Sequence, residues 1–122
     1  MRWLVVFAYI GCMFALSSWE HPPSGPRLRY ADKVVHTIEY AILGGLTSWA
    51  APAALTGRAR IATAIALGLG VGAADETYQR TVPGRESSLT DLAADLAGAT
   101  LGAFLRERRV RFAHARPRAP KP

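Results

Sequence analysis

Four apolar blocks separated by short charged connections leave this chain few ways to fold. Residues 3–19 carry no charge, and residues 34–55 carry only His36 and Glu39 near their start. Residues 61–74 form a third block, which reaches Tyr78 if Asp75 and Glu76 sit at an interface, and residues 89–105 form a fourth. Roughly 20 apolar residues, within a range of about 17 to 25, cross the hydrocarbon core of a bilayer, so the blocks approach spanning length. Half of the 122 residues are apolar, which a soluble domain can match, and the decision therefore rests on clustering. The expected fold is all-α, an integral membrane four-helix bundle with helices near 3–19, 33–55, 61–79 and 89–105, forming one domain over residues 1–105.

The first block shares features with a cleaved signal peptide, since Arg2 precedes it and Ala15-Leu16-Ser17 offers a small-residue site. Its apolar run exceeds the usual h-region of roughly 7 to 15 residues, and Trp19 is a good interfacial anchor, so a retained helix is the stronger reading. Cys12 is the only cysteine, which excludes an intrachain disulfide. It reads as a small residue packed within the first helix.

Charge asymmetry orients the bundle. Arg2, Arg58, Arg60, Arg106, Arg108, Arg109, Arg111, Arg116, Arg118 and Lys121 all fall on one side of a four-span arrangement, accompanied only by Glu107. Positive residues mark the cytoplasmic side, so both termini are expected inside. The other side receives Glu20, Asp32, Glu39, Asp75, Glu76, Glu86, Asp91 and Asp95, with Arg27, Arg29, Lys33, Arg80 and Arg85 as partners. A net charge of +6 invites a nucleic-acid reading, but the excess sits in residues 106–122, broken by Pro117, Pro120 and Pro122. That segment lacks a recognition helix or an aromatic platform, which argues against nucleic acid. It is expected to be a disordered basic tail touching anionic lipid headgroups.

Ionisable residues at membrane depth are costly and usually face the bundle interior or a partner. On the second segment Asp32, His36, Glu39 and Leu43 follow i, i+4, i+7, i+11, with Tyr40 beside them. Gly68, Gly72, Asp75 and Gln79 repeat that spacing on the third segment, where Glu76 and Arg80 form an i, i+4 pair. On the fourth, Asp91, Asp95, Gly98 and Gly102 lie on one stripe. Small-residue stripes let helices approach closely, so the acids extending them should point into a shared polar cup. Between the last two segments, Val82-Pro83-Gly84-Arg85 fits a type II turn that aims Arg85 at the acids. Ser88 and Asp91 have the spacing of an N-terminal capping arrangement, which gives Asp91 a structural role as an alternative.

These residues resemble a known pattern. Asp32-Lys33, His36, Glu39-Tyr40 and Leu43-Gly44, followed by Asp75-Glu76, Gln79, Pro83-Gly84-Arg85, Ser88, Asp91 and Gly98, are similar to the motifs of the VanZ-like family of small bacterial membrane proteins. The resemblance covers roughly residues 32–102. It implies a helical, multi-pass protein of the bacterial inner (plasma) membrane and a link to resistance against the glycopeptide teicoplanin. Asp95 stands where the family often has asparagine, and Thr37 replaces a bulky apolar residue.

Three functions fit the cup. In the first, it binds or modifies an anionic envelope lipid or a peptidoglycan-related ligand. His36, Glu39, Asp75 and Glu76 are then the candidate catalytic groups, with His36 as a general base oriented by Glu39 or Asp32. Asp32, Lys33, Tyr40, Gln79, Arg80, Arg85, Asp91 and Asp95 are the candidate binding groups, and Lys33, Arg80 and Arg85 would hold the anion. In the second, the charge network is a non-catalytic lock or scaffold. In the third, His36, Glu39, Asp75, Glu76, Asp91 and Asp95 bind a divalent metal, resembling inward-facing sites of helix bundles. The sequence names no cofactor and leaves oligomerisation open. Without internal repeats a transporter is disfavoured, and P-loop, dinucleotide, nucleophile-elbow and cysteine-zinc patterns are all missing.

Overall fold

The computed structural model describes residues 1–18, 31–83 and 88–115. It forms four α-helices, α1 (Arg2–Ser17), α2 (Ala31–Ala50), α3 (Gly57–Gln79) and α4 (Leu89–Ala115). The all-α, four-helix architecture is as expected, but several boundaries move. α2 stops at Ala50, short of residue 55, because Pro52 follows and disfavours helical geometry at the residue before it. α3 starts ahead of residue 61 because Thr56 caps it, its hydroxyl accepting from Ala59 N at 3.2 Å.

The largest departure is at the far end. The disordered tail expected from residue 106 is instead helical as far as Ala115, and residues 116–122 lie outside the described part. Arginine is a good helix former, and no proline interrupts the chain before Pro117. Arg108 also lies over the Phe112 ring one turn on, 5.5 Å from its centroid.

Side-chain partners define the path of the chain. Arg2 donates to the Trp49 carbonyl at 3.3 Å, and the Tyr9 hydroxyl donates to the Glu39 carbonyl at 3.1 Å. Ser18 and Tyr78 pair through their hydroxyls at 2.9 Å. α1 therefore runs antiparallel to α2 and alongside α3. α4 packs on α2 and α3, and its interface with α2 is the most extensive in the molecule. The start of α1, the start of α3 and the end of α4 share one end of the bundle.

Glycine makes the α2–α4 interface. A Cβ on Gly98 would collide with the Thr37 carbonyl, one on Gly102 with the Ala41 carbonyl, and one on Gly44 with the Ala99 backbone. Backbone meets backbone there, and nothing can move aside. The buried apolar cluster is small, comprising Val6, Met13, Tyr40, Leu43, Ala50, Val71 and Ala99. Cys12 is exposed rather than packed, because α1 turns Val6 and Met13 inward and leaves the face bearing Cys12 uncovered.

No helix among the described residues is long and apolar enough to cross a membrane. α1 has only 16 residues, and the other three carry ionisable groups among alanine and glycine. Large apolar side chains nonetheless cover the outside, including Phe7, Ile38, Leu69, Leu101 and Phe104.

The packing makes a direct prediction. Gly102→Ala should destabilise the protein by about 3 kcal/mol, the upper end of overpacking costs, because its Cβ meets rigid backbone. Gly70→Ala, with nothing within 4 Å of its Cβ, should be neutral or gain up to about 1 kcal/mol from helix propensity. Thermal or denaturant unfolding of the purified variants checks both.

Candidate functional site

The parallel register of α2 and α4 sets acids of one helix against bases of the other. Lys33 forms an ion pair with Asp91. One turn further along, His36 Nδ1 lies 2.8 Å from Asp95 Oδ1. α3 enters from the opposite direction and adds Asp75, Glu76 and Gln79. Gln79 Nε2 donates to Asp75 Oδ2 at 2.9 Å, and Ser88 N donates to Glu76 Oε2 at 2.6 Å.

The start of α4 is capped across helices. The Ser88 hydroxyl accepts from Thr90 N at 3.2 Å, an ordinary N-cap bond. A capping box would take the Ser88 N–H with the side chain at position 91. Here Glu76 of α3 takes it, and Asp91 is left to pair with Lys33. The alternative local role for Asp91 therefore passes to a residue from another helix.

Burial at this end is deep. Asp75, Glu76, Gln79, Asp91 and Asp95 are all buried, Asp95 completely. Four oxygens there, Tyr40 Oη, Asp75 Oδ1, Glu76 Oε1 and Asp95 Oδ2, have no hydrogen-bond partner among the described residues. Leaving such a group unsatisfied costs about 1–3 kcal/mol, so the cluster is not closed on itself. One ligand-type atom from each of His36, Glu76 and Asp95 lies within 4.8 Å of the others.

Of the residues singled out from sequence, Lys33, His36, Tyr40, Asp75, Glu76, Gln79, Asp91 and Asp95 come together. Tyr40 is buried and stacks nearly parallel on His36, with centroids 6.5 Å apart and planes at 8°. Glu39 lies half-buried at the flank of that face, its carbonyl taking the bond from Tyr9. The inward face of α2 is thus centred on His36, Tyr40 and Leu43 rather than on Glu39. Arg80 caps α3 on the exposed side. The side chain of Asp32 and the turn residues Gly84 and Arg85 lie outside the described residues.

A second polar centre occupies the opposite end and was missed from sequence. Glu107, the lone acid of the basic segment, is buried and accepts a 2.6 Å hydrogen bond from Ser48. It pairs with its neighbour Arg106, and Arg60 Nη1 approaches to 3.8 Å. Its other oxygen, Oε2, lies against Gly57, where a Cβ would come within 3.1 Å. One carboxylate therefore ties α4 to α2 and α3. Its isolation among cations was the only sequence signal.

Burial pushes the Glu107 carboxyl up, but the hydrogen bonds from Ser48 and Arg106 and the charges of Arg106 and Arg60 outweigh it and hold the group below its ordinary range. A carboxyl whose folded-state affinity for protons is lowered contributes stability above its unfolded pKa and loses it as pH falls through the folded value. The difference in stability between wild type and Glu107→Gln should accordingly be full at neutral pH and shrink in acid below the usual carboxylate range. At neutral pH the variant should lose about 1–3 kcal/mol. Denaturant unfolding at a series of pH values reads this difference.

Four helices, three of which bury acids and a tyrosine between them beside a partly buried histidine, define a small helical bundle with a polar interior. The chain belongs to the VanZ/LLP1 family, whose model matches residues 2–107, and proteins of the VanZ family are membrane proteins. No curated protein and no solved structure matches it.

Proposed function

We propose that this chain is a multi-pass membrane protein of the bacterial cell envelope whose polar cup, at the outward end of α2, α3 and α4, binds an anionic envelope ligand. An inverted distribution of side chains supports the membrane setting. Ile38, Leu69, Leu101, Phe104 and Leu105 are exposed while Asp75, Glu76, Asp91 and Asp95 are buried. Lipid solvates such a surface at no cost, and intramembrane ionisable groups turn to the bundle interior. In α3 the groups that lower the mean hydropathy are largely those turned inward, Asp75, Glu76 and Gln79, so that average understates how apolar its outer face is.

Arg2, Arg58, Arg60, Arg106, Arg108, Arg109 and Arg111 gather at one end, which the positive-inside rule assigns to the cytoplasm. The cup then opens outward. The family's general association with glycopeptide resistance supports an envelope component as the ligand. A lipid-linked phosphate or a peptidoglycan-related carboxylate has the required charge, with Lys33 and Arg80 as cations at that end.

The observation that carries a ligand site over a purely structural lock is the set of four buried oxygens with no partner among the described residues. A network selected only to hold helices together gains nothing from leaving its own atoms unsatisfied. The ion pair Lys33–Asp91 contributes geometry more than stability, since desolvation offsets most of its attraction.

Two measurements test this reading. In a Cys12→Ser background, Ser88→Cys should react with a membrane-impermeant maleimide in intact cells, and Thr56→Cys only after lysis. The reverse pattern would sink the outward orientation. Purified protein should also be stabilised by an anionic lipid-linked phosphate, by about 2.7 kcal/mol at a hundredfold excess over Kd. Arg80→Gln should weaken that response relative to the unliganded variant. A lock predicts no ligand response and loss of folded protein on Lys33→Gln.

A further inference from the structure

We infer that the cup holds a divalent transition metal on His36, Glu76 and Asp95, and that this ion receives the phosphate or carboxylate of the envelope ligand. The inference rests on the anionic-ligand reading above and adds a positive charge where the described acids converge. Among the described residues of this end, Glu39, Asp75, Glu76, Asp91 and Asp95 contribute acid. Lys33 is engaged with Asp91, and Arg80 is on the exposed side. An anion pushed against these carboxylates meets like charge in a low-dielectric setting, where repulsion is strong. A bound cation is the largest local charge in such a site and inverts that sign.

The donor set comes from three helices, with His36 on α2, Glu76 on α3 and Asp95 on α4. Their ligand-type atoms lie within 4.8 Å of one another, close enough for one ion to bind all three. Among the described residues, each carboxylate is held at one oxygen and has no partner at the other. Glu76 Oε2 takes Ser88 N while Oε1 has none there, and Asp95 Oδ1 faces His36 while Oδ2 has none there. Both residues are more than nine-tenths buried, at 6% and 0% exposure. Glu76 is steadied as metal ligands usually are, by a hydrogen bond from outside the donor set, while Asp95 is positioned by His36 itself.

Tyr40 provides a separate observation pointing to a ligand. It is fully buried one turn beyond His36, and its hydroxyl has no hydrogen-bond partner among the described residues. Its ring stacks on that of His36, with the planes at 8°. A phenol in that position would donate to an anion or water carried by the ion. Imidazole with carboxylates and no thiolate suits Mn²⁺ or Zn²⁺ better than Cu(I). Three protein ligands also leave coordination positions open, as at metal sites that take water or substrate.

The test uses the full chain, purified in detergent, stripped with EDTA and titrated with Mn²⁺ while free ion is followed by electron paramagnetic resonance. One saturable Mn²⁺ per chain is expected, displaceable by Zn²⁺, with a rise in Tm that EDTA reverses. Glu76→Gln and Asp95→Asn should each weaken binding by more than about tenfold while keeping the helical circular dichroism spectrum. Absence of saturable binding to wild type, or undiminished binding in both folded variants, overturns the metal site. The wild-type titration and its reversal by EDTA decide the matter even if the variants do not fold.

Inorganic phosphate separates this inference from the reading beneath it. Phosphate should raise Tm only in metal-loaded protein. Equal stabilisation in EDTA would overturn the ion's role and leave the anion site standing. Metal binding with no response to phosphate or to an anionic lipid-linked phosphate would overturn the assignment of the ion as anion receptor and, with it, the anionic-ligand reading.

Discussion

The parallel contact between α2 and α4 is what the rest of the structure depends on. Gly44, Gly98 and Gly102 remove the side chains that would otherwise separate the two backbones, so the helices meet at Thr37, Ala41 and Ala99 in a single register. That register places Lys33 opposite Asp91, His36 opposite Asp95 and Ser48 opposite Glu107. A slip of one helical turn, about 5.4 Å, would unpair all three together. The polar contacts thus depend on a steric fact about glycine, and in return they penalise every other register.

The two ends of the bundle use buried charge differently. At the basic end, Glu107 is surrounded by Ser48, Arg60 and Arg106, and the arrangement joins α4 to α2 and α3. At the acidic end the hydrogen bonds among the described residues account for one oxygen of each of Asp75, Glu76 and Asp95. The first arrangement has the character of a clamp, with Glu107 engaged by three neighbours and Arg60 Nε the atom left without a partner among its described residues. The second has spare bonding capacity directed inward, where an apolar core of Val6, Leu43, Val71 and Ala99 offers it nothing.

Much of the fold was legible because its causes are local and periodic. Apolar blocks bounded by charges marked the four helices, and the spacing of Gly68, Gly72, Asp75 and Gln79, or of Asp91, Asp95 and Gly98, marked the faces that are buried. What escaped depended on contacts between distant segments. Residues 106–115 looked like a tail because they are basic, but helix propensity and the partners of Glu107 carry α4 onward. Cys12 looked packable by type, yet α1 has neighbours on only part of its circumference. Ser88 and Asp91 looked like a self-contained cap until Glu76 of α3 took the N–H.

By itself the sequence determined the number of helices, the stripes along which they pack and the gathering of most acids at one end and most arginines at the other. These follow from residue spacing on a helix of fixed period and from charge counted along the chain. Only the tertiary structure decided which acids share a site, since that depends on the relative register of three helices. It brought Glu76 and Asp95 to His36, set Glu39 at the flank, paired Asp91 with Lys33 and made Glu107 an anchor. The reason is physical: periodicity states which side of its own helix a residue faces, whereas backbone contact at Gly98 and Gly102 fixes the height at which it meets its neighbours.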